Sequence, residues 1–112
     1  MKKSIASFLT VFVSVTMLAA QTASVKIHTS AVCETCKETI EKDLSFEKGV
    51  KSADLNVETK DLTVIYDPAK TTPDKIRRRV SRIGYDADDV KRDPKAFNRL
   101  PDCCKQKECN HH

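Results

Sequence analysis

The chain has no tryptophan, two tyrosines, four phenylalanines and two glycines among its 112 residues. So few aromatic faces leave little on which a nucleic-acid base could stack. With two glycines it cannot build a glycine-rich loop to cradle phosphates, and none is visible. No Ser/His/Asp constellation and no paired-carboxylate site appears either. Charge of one sign is also scarce. The formal net charge is +4, and losing residues 1–20 would take Lys2 and Lys3 and leave 18 basic against 16 acidic side chains, or +2. That balance is too weak for a nucleic-acid partner. No apolar run reaches the length of a membrane span. Ile5–Ala20 is apolar but short and broken by Ser and Thr. Behind the basic Lys2-Lys3 and ahead of the small Ala19-Ala20 it reads as a signal-peptide core, with cleavage expected after Ala20. Residues 21–92 then form one domain and residues 93–112 a tail. The expected location is periplasmic or secreted, and the mature form is expected not to span a membrane.

Against these absences stand five cysteines, all beyond residue 20. In an oxidising compartment an odd count leaves at least one thiol unpaired or committed to other chemistry. Cys33 and Cys36 lie two residues apart in Ala31–Lys37, after a short apolar run and before a helical pattern. Thiolates at this spacing can grip one soft metal ion or close as a disulfide. A helix N-terminus supplies free N–H groups and a positive dipole end, both of which favour the thiolate.

Val25–Thr29 reads as a first strand. Ile40 and Leu44 mark one stripe on a helix otherwise studded with Glu38, Glu41, Lys42 and Asp43. Gly49 is expected in the left-handed conformation past that helix's end. Val50–Val57 and Leu62–Tyr66 alternate apolar and polar residues around the polar turn Glu58–Asp61, which predicts an antiparallel hairpin. Thr72-Pro73 is an N-cap followed by a first-turn proline. Ile76, Val80 and Ile83 form the buried face of the second helix and Gly84 ends it. Lys75, Arg77, Arg78, Arg79 and Arg82 face water as a solvated face or an acidic partner's docking patch. Tyr85–Val90 is expected as a last strand, giving the order β-α-β-β-α-β. His28, opposite Ile27, is expected at the surface.

The stretch Val25–Val90 resembles the heavy-metal-associated domain of copper chaperones, copper-exporting ATPases and the periplasmic mercury-binding protein. The matching features are Cys33-Glu34-Thr35-Cys36 between strand and helix, Gly49-Val50, Tyr66-Asp67-Pro68, and Ile83-Gly84-Tyr85-Asp86-Ala87. The resemblance implies an α+β, ferredoxin-like sandwich: two helices on a four-stranded antiparallel sheet, here extended by a cysteine-rich C-terminal tail. It also implies that Cys33 and Cys36 bind metal, most simply Cu(I), with Hg(II), Zn(II), Ag(I) and Cd(II) as further thiophilic ions. The implied partners are a membrane metal transporter or another metal-binding domain. Two positions depart from the family pattern. Ser30-Ala31-Val32 replaces Gly-Met-Thr, so a buried methionine that props the loop becomes Ala31. Tyr85 stands where cytosolic chaperones often carry lysine, either shielding the site or serving as an ordinary strand residue.

In the tail, Asp93-Pro94 can open a short helix that Phe97 and Leu100 pin to the domain. Cys103, Cys104, Cys109, His111 and His112 follow, as soft-metal ligands or as a disulfide staple. A full fourth strand would carry the chain roughly 17–20 Å from the Cys33–Cys36 end. The 13 steps from Val90 to Cys103 span at most about 40 Å, enough to return. The tail is expected to reach Cys33 and Cys36 or to form an independent site. The expected function is a non-catalytic metal carrier, chaperone or scavenger. A thiol–disulfide redox protein is the alternative, although neither the length nor the prolines suit a thioredoxin-like fold. A zinc-stapled module would have to recruit the tail to reach four ligands.

Overall fold

The protein is described from a computed structural model covering residues 21–105. Strand β1 (Ala23–His28) leads to helix α1 (Glu34–Leu44), then to β2 (Val50–Asn56) and β3 (Asp61–Tyr66). Helix α2 (Pro73–Ile83), a short α3 (Pro94–Arg99) and one 3-10 turn (Asp102–Cys104) complete the order. The sheet is antiparallel, in the order β1-β3-β2. Its register explains why one face is buried. Ile27 and Leu55 both lie opposite Leu62, and Val25 and Ala53 lie opposite Val64. The apolar residues of three strands therefore share one surface, while Lys26, Thr63 and Asp54 share the other. Ile40 and Leu44 of α1 and Ile76 and Val80 of α2, all fully buried, complete a core with Ile27, Leu55, Leu62 and Val64. The arrangement is the ferredoxin-like fold.

Local chemistry sets the boundaries. Asn56 Oδ1 accepts from the N–H groups of Glu58 and Thr59, and Lys60 adopts φ +65°, which turns the hairpin. Thr72 caps α2 by accepting from the Lys75 N–H at 3.3 Å, with Pro73 in the first turn. Gly84 (φ +118°) ends that helix as expected. Gly49 also has a positive φ, +88°, but it is not the α1 cap. The helix stops at Leu44 with Ser45 still right-handed. Gly49 instead opens β2, where a Cβ would lie 2.8 Å from that of Lys70.

The expected fourth strand is reduced to a bridge between Ala87 and Thr29. The reason is Asp88. Its carboxylate accepts from the His28 N–H at 2.9 Å while its own N–H donates to the His28 carbonyl at 2.8 Å. Asp88 sits at φ +52°. Ala87 and Val90 then exchange backbone hydrogen bonds at 3.0 and 2.9 Å. The chain reverses within four residues instead of running on beside β1. It therefore never travels to the far end of the sheet, and α3 starts on the side where it is needed. The basic face of α2 is in part internally neutralised. Arg77 pairs with Asp74 and Asp88, and Arg79 with Asp43 of α1 and with Glu47 in the turn that follows it.

Candidate metal centre

Cys33 is the N-cap of α1 and Cys36 lies in its first turn. The loop before them is pinned from both sides. Thr29 donates N–H and Oγ1–H to the Lys60 carbonyl, each at 2.9 Å, and its Oγ1 accepts from the Ala31 N–H. Ser30 Oγ accepts from the Asp86 N–H at 2.9 Å. Ala31 is fully buried although it is smaller than the family's methionine, and Val32 is nearly so. Behind the helix start, Lys37 Nζ reaches Asp54, Glu41 and the Leu55 carbonyl at 2.9–3.0 Å. The acceptor carboxylates Asp54 and Glu41 push its pKa up. This clamp fixes the first turns of α1 to β2. Neither it nor the Thr29–Ser30 latch was singled out in the sequence, although the i,i+4 spacing of Lys37 and Glu41 was a usable sign.

Four sulfurs converge here. Cys33 Sγ lies 3.3 Å from Cys36, 3.5 Å from Cys103 and 3.8 Å from Cys104, and Cys103 lies 3.9 Å from Cys104. These separations are well beyond a disulfide bond of about 2.05 Å, and all four are free thiols. Cys33, Cys36 and Cys104 are buried and Cys103 is half-buried. Within the tail, the Asp93 side chain caps α3 by accepting from the Lys95 N–H. Leu100 is buried, and the Arg92 guanidinium lies 3.6 Å above the Phe97 ring. Pro101 then opens the 3-10 turn, closed by Cys104 N–H donating to the Pro101 carbonyl at 2.9 Å. The expected residues Cys109, His111 and His112 fall outside the described residues, as does the expected signal peptide. His28 is exposed, with Nδ1 3.0 Å from Asp61.

The four thiols are not equivalent. Burial pushes the Cys36 thiol up, but the Cys104 thiol, the Val32 backbone amide, Tyr85 and Cys33 together outweigh it and hold its pKa below the ordinary value. Burial, followed by the neighbouring Cys36, drives Cys104 the other way. Tyr85 is buried, and its hydroxyl makes no hydrogen bond of ordinary geometry. Burial first, then Cys104 and Cys36, hold that hydroxyl far above the usual phenol range. Tyr85 thus lies beside Cys36 and Cys104 and outside any strand. Soft thiolates in this number suit Cu(I), Hg(II), Ag(I), Cd(II) or Zn(II) better than any hard cation. Beside Cys104, Ser30, Val32, Lys60, Arg92, Phe97 and Lys105 line a groove of about 420 Å³.

Residues 26–86 match the model of the heavy-metal-associated domain. A copper-exporting P-type ATPase of Staphylococcus saprophyticus subsp. saprophyticus is 38% identical over 55 residues, which is 49% of this chain. The match spans only 7% of that relative's own length. Among solved structures, a CopZ metallochaperone superposes with a TM-score of 0.56 at 29% identity, covering 58% of this chain and 98% of that one. Oxidized MerP from Ralstonia metallidurans CH34 superposes with a TM-score of 0.57 at 29% identity, covering 60% and 94%.

Proposed function

The chain belongs to the heavy-metal-associated domain family, and on that footing we propose that it is an exported carrier or scavenger of a thiophilic ion, Cu(I) first, held by Cys33 and Cys36. The observation that carries this reading is the buried pair itself. Two sulfurs 3.3 Å apart sit at a helix start, and the second has its thiolate favoured by its neighbours. Buried thiolates are costly unless they are paired or bound to metal, and a soft cation resolves that cost. Shielding of the pair by Tyr85 is part of this reading, supported by its burial beside Cys36 and Cys104. Export rests on Lys2-Lys3 and the apolar run before Ala20. Among the described residues no helix is long and apolar enough to cross a membrane. The partner proposed is the metal-binding domain of a membrane metal transporter, because the curated relatives are copper-exporting P-type ATPases. Hg(II) is the second ion, supported by the likeness to MerP.

The role is binding without turnover. What supports this is the match to a small metal-binding domain. The test is a Cu(I) competition titration under reducing conditions with Cys33→Ser/Cys36→Ser. Loss of tight binding with the fold intact is expected, and near-normal affinity would overturn the assignment. Reduction of insulin far faster than by a free dithiol would overturn the non-catalytic role.

A further inference from the structure

We propose that Cys103 and Cys104 bind the same ion as Cys33 and Cys36, so that the tail is a strap closing the site and not a separate metal centre. The inference rests on the reading of Cys33 and Cys36 as ligands and adds to it. Cys33, Cys103 and Cys104 have sulfurs all within 4.8 Å of one another, and Cys36 lies 3.3 Å from Cys33. Four sulfurs around one ion at about 2.3 Å would be spaced by about 3.8 Å in a tetrahedron and three by about 4.0 Å in a triangle, whereas two in line would lie about 4.6 Å apart. The separations of Cys33 from the other three sulfurs and of Cys103 from Cys104, 3.3–3.9 Å, belong to a crowded site centred on Cys33 and not to an open linear one, with Cys36 outside the set of three whose sulfurs all lie within 4.8 Å of one another.

The strap is built to hold this position. Gly84 allows α3 to come within contact of the end of α2, because a Cβ there would lie 3.0 Å from Ala96 C and Phe97 N. Buried Leu100 fixes the last residue before Pro101. The 3-10 turn then aims two successive cysteines at one sulfur, Cys33. Adjacent cysteines are poorly placed to bond each other, so this turn spends both on a third party. The ligand taken is a single soft ion in a site of three or four thiolates. A partner that must insert its own thiols would have to displace the strap first. The protein is thereby biased toward keeping its ion.

The probe is Cu(I), competed with bicinchoninate on the reduced full chain, with sulfur coordination read by X-ray absorption at the copper edge. Wild type should show three or four sulfurs. Cys103→Ser/Cys104→Ser should show two and bind at least about tenfold more weakly, since tethered ligands act at high effective concentration. Two sulfurs in wild type, with equal affinity in the tail variant, would overturn the strap and leave Cys33 and Cys36 standing. Retained affinity in Cys33→Ser/Cys36→Ser would instead overturn the reading on which it rests. A measurement on the unsubstituted protein guards against misfolding of the variants. One equivalent of Cu(I) should protect Cys103 and Cys104 from alkylation together with Cys33 and Cys36. Protection of Cys33 and Cys36 alone would overturn the proposal.

Discussion

Gly84→Ala tests how the short helix α3 is seated. Gly84 holds φ +118°, a region costly to any residue with a Cβ. The added methyl would lie 3.0 Å from Ala96 C and Phe97 N and 3.1 Å from Leu100 Cδ1. The first two contacts are backbone, so no rotamer change relieves them. Backbone strain of about 1–3 kcal/mol and overpacking of about 1–3 kcal/mol share one displacement and do not fully add. A loss of about 2–3 kcal/mol follows, against a total stability of about 5–15 kcal/mol for a domain. For a domain of this size that lowers Tm by roughly 10–20 °C. The methyl also levers α3 off the end of α2, and Leu100 and the 3-10 turn move with it. Thermal unfolding by circular dichroism reads the first effect, and alkylation of Cys103 and Cys104 against time reads the second. A Tm within about 2 °C of wild type, with unchanged labelling of both thiols, would refute the reasoning, since nearly all of the expected shift would be missing.

Asp88→Asn should flatten the acid limb of unfolding. Burial pushes the Asp88 carboxyl up, but the Arg77 guanidinium and the His28 N–H outweigh it and hold it below the usual carboxylate range, so its contribution is whole above the ordinary value and fades as pH falls through the lowered one. Urea midpoints at pH 7 and pH 3 should therefore converge more in the variant than in wild type, and an equal gap would exclude Asp88 as a source. Tyr85→Phe removes a buried hydroxyl that makes no hydrogen bond of ordinary geometry and lies beside Cys36 and Cys104; urea melts of the metal-free protein should show a change of about 0–1 kcal/mol toward greater stability, and a loss above that size would show that the two thiols hold the hydroxyl. Arg79→Ala breaks the pairs of α2 with Asp43 of α1 and with Glu47 beyond it and should cost up to about 1 kcal/mol in urea melts at low salt, shrinking in 1 M salt as screening sets in; a salt-independent loss would point to packing instead.

Much of this architecture is legible in the residues alone. Leu62, Val64 and Tyr66 alternate because their strand has one buried face, and all three are buried. Thr72-Pro73 and Gly84 bracket α2 because caps and breakers act over three or four residues. The Cys33–Cys36 pair was visible for the same reason: spacing and a helix start are local facts. What escaped was non-local. Tyr85–Val90 carries a plausible strand composition, yet Asp88 is drawn into a turn by the backbone of His28, 60 positions away. Alternation cannot report a side chain that competes for another strand's hydrogen bonds. The same reversal decides where the tail begins. Chain length alone could bound the reach of Cys103 but could not place it 3.5 Å from Cys33. Gly49 is left-handed as expected but sits at the entrance of β2 and not at the exit of α1, because a left-handed residue serves either place.

The early reversal at Asp88 has a consequence for association. Strand β1 pairs with β3 on one side, and among the described residues its other side meets only the Thr29–Ala87 bridge and the Asp88 clasp on His28. In an antiparallel sheet alternate residues turn their amides outward. Those of Ser24 and Lys26 thus share the outward side with His28. Such a margin is a template for a passing extended chain. Two features restrain it: the ammonium of Lys26, and the carboxylate of Asp88, which occupies the His28 amide that an incoming strand would need. By ending its own strand early, the protein leaves a selvedge that it must guard with charge.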